Sequence, residues 1–156
     1  MRQQQSGRLE PELVKSARAA MPSAWHMIRI DPRMVRFTQA ACSPWFKGGG
    51  TLLELFLAIL ADDSDSFVET VPPLQIVWAG RYWSSLDNRR LAVFKAIAIF
   101  TDLPDIPACA LCAAPAFSRQ VLHTSGKWST QCEGRTIRVR GERITIGSTL
   151  AECRWY

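Results

Sequence analysis

Apolar and polar positions alternate along this chain at two periods, and each change of period marks an element. After a polar opening, Met1 to Gly7, the residues Leu13, Ala17 and Met21 share one face of a short helix that Pro11 can start. Trp25 to Ile30 reads as a strand ending in the turn Asp31-Pro32. Ser43-Pro44 has the pattern of a short helix start, Gly48-Gly49-Gly50 breaks it, and Thr51 caps the next helix. There Leu52, Leu53, Leu55, Phe56, Ile59 and Leu60 cover most of the surface, which predicts a place at the centre of the core. An acidic loop, Asp62 to Ser66, comes next. Val71-Pro72-Pro73 then forces extended backbone into a strand over Leu74 to Trp78. Ala79-Gly80-Arg81 turns that strand into a second, Tyr82 to Leu86, as a hairpin. Asp87 is placed as the N-cap of a helix running from Asn88 or Arg89 to Phe100, on which Leu91, Phe94 and Ala98 align. Ile106 to Leu111 predicts another strand, Pro115 to His123 a short helix or loop, and Thr136 to Arg140 with Arg143 to Gly147 a hairpin around Gly141.

These elements describe an α+β domain, a small mixed sheet flanked by helices with a C-terminal β-hairpin. With 156 residues, 47% of them hydrophobic, one core of ordinary size is expected. Residues 1–22 read as an N-terminal extension, 23–114 as the main domain, and 115–156 as an extension packed on it. The longest apolar runs, Leu52 to Ala61 and Leu91 to Phe100, span ten residues. A membrane-spanning helix needs roughly 20, so no membrane span is expected. Nineteen Lys and Arg against fourteen Asp and Glu give a formal charge of +5, which favours anionic partners without naming one. Five cysteines and no recognisable signal peptide point to an intracellular, reducing compartment. Arg2, Arg8, Lys15 and Arg18 leave organellar targeting open, although Glu10 and Glu12 interrupt the pattern.

The chemistry concentrates in Pro72 to Ala96, where a hairpin runs through a sharp turn into a helix that opens on two arginines. A helix N-terminus carries unpaired N–H groups and the positive end of the macrodipole. Arg89 and Arg90 add charge and forked donors, so Asp87, Asn88, Arg89 and Arg90 form a candidate phosphate site. This strand, DNRR and helix pattern resembles the ParB/sulfiredoxin-like superfamily, particularly its DNRRL-bearing variants. Val35-Arg36-Phe37-Thr38-Gln39, Ser43, Phe46-Lys47-Gly48-Gly49 and Asp105-Ile106-Pro107 look like the same group, over Ile28 to about Leu111, with Arg138-Val139-Arg140-Gly141 a family-like extension. The resemblance implies the compact α/β fold, phosphate binding at the DNRR loop, and Thr38 and Gln39 as neighbouring ligand contacts. It implies no sulfiredoxin catalysis, because Asn88 stands where that family has its cysteine and an amide cannot act as a thiolate nucleophile. The ParB-type glutamate is also missing at Asn88, which argues against CTP hydrolysis. No cofactor is required; a nucleotide with Mg²⁺, positioned with help from Asp87, is the one that would fit this reading.

Other motifs carry weaker chemistry. Cys109-Ala110-Leu111-Cys112 is a CxxC, but Cys132 and Cys153 lie twenty residues apart without a second knuckle, so buried thiols are expected and no metal site. His26 is expected in the core or on a sheet edge, and Asp62, Asp63 and Asp65 in a solvated loop lacking the EF-hand pattern. Alternation in the C-terminal hairpin puts Arg138 and Arg140 on one face, a candidate nucleic-acid contact, with Trp128, Trp155 and Tyr156 available to stack on bases. The leading expectation is a phosphate-recognising domain that binds a nucleotide or nucleic acid. Its alternative is a non-catalytic interaction or scaffold subunit, for which the tryptophan-rich apolar surface speaks.

Overall fold

A computed structural model describes residues 25–62, 66–78, 80–111, 122–123, 129–130 and 132–155. The N-terminal helix expected around Leu13, most of the Pro115 to His123 segment, and Cys112, Asp63, Asp65, Trp128 and Tyr156 lie outside the described residues. In chain order the elements are β1 (Trp25–Ile30), a 3-10 turn (Pro32–Met34), β2 (Val35–Arg36), β3 (Ala41–Cys42), α1 (Leu52–Leu60), α2 (Ser66–Thr70), β4 (Leu74–Trp78) and β5 (Trp83–Ser85). They continue with α3 (Asn88–Phe100), β6 (Ile106–Leu111), β7 (Ile137–Val139), β8 (Ile144–Ile146), a second 3-10 turn (Leu150–Glu152) and β9 (Arg154–Trp155).

The strands form two mixed sheets, one of five strands in the order β1-β6-β4-β5-β2 and one of four in the order β3-β7-β8-β9. Pro72 and Pro73 feed β4 into the first sheet, where it pairs parallel with β6 (Leu74 opposite Ala108) and antiparallel with β5 (Ile76 opposite Ser85). The β4–β5 reversal uses Gly80 at φ 94°, a value that favours glycine. β7 and β8 form the expected hairpin, Ile137 opposite Ile146, and β3 joins β7 in parallel. The sheets are stitched together at Gly134, whose carbonyl accepts from Phe37 N–H at 2.8 Å. A Cβ on Gly134 would stand 2.0 Å from the Phe37 carbonyl oxygen, and the φ of 70° already favours glycine there.

α3 is the central element. Asn88, Leu91 to Lys95, Ile97 and Ala98 are all buried, because the helix packs against α1, the first 3-10 turn and β8. One core joins residues of both sheets, among them Leu74, Ile76, Ile106, Ile137 and Val139, around Leu91, Phe94 and Ile97. Among the described residues no helix is long and apolar enough to cross a membrane.

Three expectations need correction. Ser43-Pro44 starts no helix: Ser43 Oγ accepts from Trp45 N–H at 3.1 Å, Phe46 N–H bonds the Gly50 carbonyl, and Trp45 bridges Thr51, so the segment folds back on itself. α1 is capped as expected, with a reciprocal Thr51–Glu54 capping box, but it lies at the margin of the core with only Leu52 and Ile59 buried. Asp87 holds the N-cap position of α3 without a side-chain cap bond, its carboxylate having better partners elsewhere.

Candidate functional site

Asp87, Asn88, Arg89 and Arg90 line one cleft of about 980 Å³ at the N-terminus of α3. The segment Ser43 to Gly48 forms one wall, Pro72, Pro73 and Gln75 line another part, and Arg140 reaches in from the end of β7. Among the described residues, four cationic side chains, Lys47, Arg89, Arg90 and Arg140, thus share the cleft with a single acid, Asp87. Such a surplus of positive charge around a helix N-terminus attracts an anion.

The four residues of the DNRR loop have different jobs. Asp87 Oδ2 accepts from Gln75 N–H at 2.8 Å and Oδ1 pairs with Arg90 Nη2 at 2.9 Å, so both carboxylate oxygens are engaged. That geometry suits a brace better than a Mg²⁺ ligand. Arg90 also donates to the carbonyls of Pro72 at 2.6 Å and Pro73 at 3.2 Å, tying the entry of β4 to the start of α3. Asn88 is buried, accepting from Thr38 N–H at 2.8 Å while Nδ2 donates to Thr38 Oγ1 at 2.9 Å and Gln39 Oε1 at 3.2 Å. Arg89 alone reaches along the cleft wall, donating to the Trp45 carbonyl with its guanidinium 6.0 Å from the Phe46 ring centre.

Thr38 stands behind the wall and not in it. It is 0% exposed, and its hydroxyl donates to the Ser85 carbonyl at 2.7 Å. Gln39 does line the cleft. Arg138 is exposed on β7 between the buried Ile137 and Val139, outside the cleft, whereas Arg140 belongs to it. Cys42 and Cys109 line the cleft too. Burial pushes the Cys42 thiol up to about 11 even though Arg89 and Arg140 pull the other way, and burial also raises Cys109. Both therefore stay protonated near neutrality, and neither offers a thiolate. His26 is exposed on β1, the edge of the five-stranded sheet. Among the described residues no three His, Cys, Asp or Glu side chains group as metal ligands.

Sequence reasoning missed the cleft roles of Lys47 and Arg140. Lys47 carried the weak signal of a lysine beside a glycine run; Arg140 reads as part of a basic stripe until the parallel β3–β7 pairing brings it beside Cys42, whose carbonyl accepts from its N–H at 2.8 Å.

No family model, curated protein or solved structure matches the chain.

Proposed function

We propose that the cleft recognises phosphate, carried by a nucleotide or a nucleic acid, in a ParB/sulfiredoxin-like domain that binds without cysteine chemistry. The observation that supports this reading is the convergence of Lys47, Arg89, Arg90 and Arg140, against one carboxylate among the described residues, on the N-terminus of a thirteen-residue helix left without a side-chain cap. Arg90 is already paired, so Arg89, Arg140 and Lys47 supply the charge that meets the ligand. Arg89 gives forked donors that match two phosphate oxygens, and Lys47 and Arg140 add charge within the same cleft. Asn88, Thr38, Asp87 and Arg90 hold the frame. A polynucleotide would extend from the cleft towards Arg138, two residues before Arg140 on the same strand; a mononucleotide would not need it.

A thermal-shift panel of nucleoside mono-, di- and triphosphates, with and without Mg²⁺, and of short single-stranded oligonucleotides tests the reading. A ligand at about a hundred times its Kd adds about 2.7 kcal/mol, which for a chain of this size raises the melting midpoint on the order of 5–10 °C. No shift from any member at millimolar concentration refutes it. The interaction-subunit reading draws on a different surface, at the other end of α3.

A further inference from the structure

α1 is apolar at every position of Leu52–Leu60 except Glu54, yet Leu53, Leu57 and Leu60 are 63%, 54% and 40% exposed. A helix that is apolar all round belongs in a core or an interface. Beside it runs an apolar groove of about 730 Å³, with Phe56 and Phe100 on one side and Ile144, Ile146, Leu150 and Trp155 on the other. Among the described residues Glu142 is the one charged side chain that lines it. We propose that this face pairs with a second copy of the chain, the α1 ridge of each protomer seated in the groove of the other.

Three observations select this occupant. First, Trp45, Leu53, Leu57, Leu60, Phe100, Leu150 and Trp155 are each 40% exposed or more, seven large apolar side chains of the kind that make up the roughly 800 Å² each partner gives to a standard interface. Second, ridge and groove lie side by side on one face, so a two-fold axis fills both grooves with the same contact. Third, β9 is the edge strand of its sheet, and edge strands related by a two-fold axis pair antiparallel. A lipid surface fits poorly, since among the described residues no Lys or Arg lines the groove to meet anionic headgroups. A small apolar ligand would leave the Leu57 ridge uncovered.

Sedimentation velocity of the full chain from about 1 to 100 µM, a span that brackets micromolar dissociation, reads the outcome. A reversible dimer is expected. Leu57→Glu on the ridge and Leu150→Glu on the groove wall should each raise the dissociation constant at least about tenfold, because each buries a charge at the contact. Met34→Glu, at an equally exposed apolar position that does not line the groove, should leave it unchanged. Thermal melts of the same samples show whether each variant folds. The proposal fails if the parent is monomeric throughout, if a dimer ignores both groove variants, or if a monomeric parent instead binds phosphatidylcholine vesicles or a fatty acid at this face.

Discussion

Asn88 sets the position of the loop that carries Thr38 and Gln39, and its own orientation is forced. The Thr38 hydroxyl gives its hydrogen to the Ser85 carbonyl, so Oγ1 can only accept from Asn88, which places Nδ2 there and Oδ1 on Thr38 N–H. Asn88→Asp should keep the bond to Thr38 N–H while setting an acceptor against two acceptors, Thr38 Oγ1 and Gln39 Oε1. Leaving such buried groups unpaired costs about 1–3 kcal/mol each, more where a charge is involved. Urea unfolding should show a midpoint lowered accordingly with an unchanged slope; a variant within about 0.5 kcal/mol of the parent, the ordinary range for a surface change, would remove the clamp from the account. The sequence singles out Asn88 as the departure from a thiol nucleophile. Its partners, fifty and forty-nine residues away, exist only once the chain has folded. The same holds for Arg90, whose adjacency to Arg89 suggests equal roles until Asp87, Pro72 and Pro73 occupy it.

At the scale of elements, α3 carries a buried cation that latches the C-terminal strands. Lys95 is 0% exposed, its Nζ donating to Ser148 Oγ at 2.6 Å and lying 5.0 Å from the Phe37 ring centre. Burial, with Arg36 adding repulsion against the pull of Glu152 and Asp31, brings Lys95 down to about 8. A lysine lowered by folding favours its neutral form in the native state. Its penalty is therefore full below the folded value and relieved as pH rises from about 8 towards the unfolded value near 10.4. The stability of the parent minus that of Lys95→Met should climb across that window by an amount on the order of 3 kcal/mol. Cys42, raised by folding, contributes the opposite slope, but it is common to both proteins and cancels. A difference that stays flat from pH 7 to 10.5 contradicts a buried charged Lys95. Strands β1, β4 and β6 and helix α3 were legible in the sequence because long period-2 or 3.6 patterns and their prolines mark them. β2, β3 and β9 are two residues long and owe their existence to distant partners, so no local pattern announces them. α1 misleads because its apolar density reads as core, whereas half of it faces outward.

The whole molecule hangs two surfaces on the two ends of α3, the cleft at its N-terminus and the groove along Val93, Ala96, Ile99 and Phe100. Two stretches of chain separate them: Pro44 and Trp45 line the groove, while Ser43, Phe46 and Lys47 line the cleft, and Val139 and Arg140 divide in the same way. The position of the DNRR loop at an open concavity was readable from helix spacing and turn chemistry; Lys47 and Arg140, which complete the cleft, come from two distant segments and were not. Calorimetric titration of the best nucleotide or oligonucleotide from the panel into the parent, Arg89→Ala, Arg89→Lys and Arg140→Ala reads whether this cleft holds the phosphate. Loss of a hydrogen bond to a charged group costs about 1.5–3 kcal/mol, so Arg89→Ala should weaken binding by roughly ten- to a hundredfold, with Arg140→Ala also weaker. Arg89→Lys should recover only part, since an ammonium keeps the charge without the two-pronged geometry, and added salt should weaken the parent more than Arg89→Ala. Equal affinity in the parent, Arg89→Ala and Arg140→Ala would contradict the account and place the phosphate elsewhere.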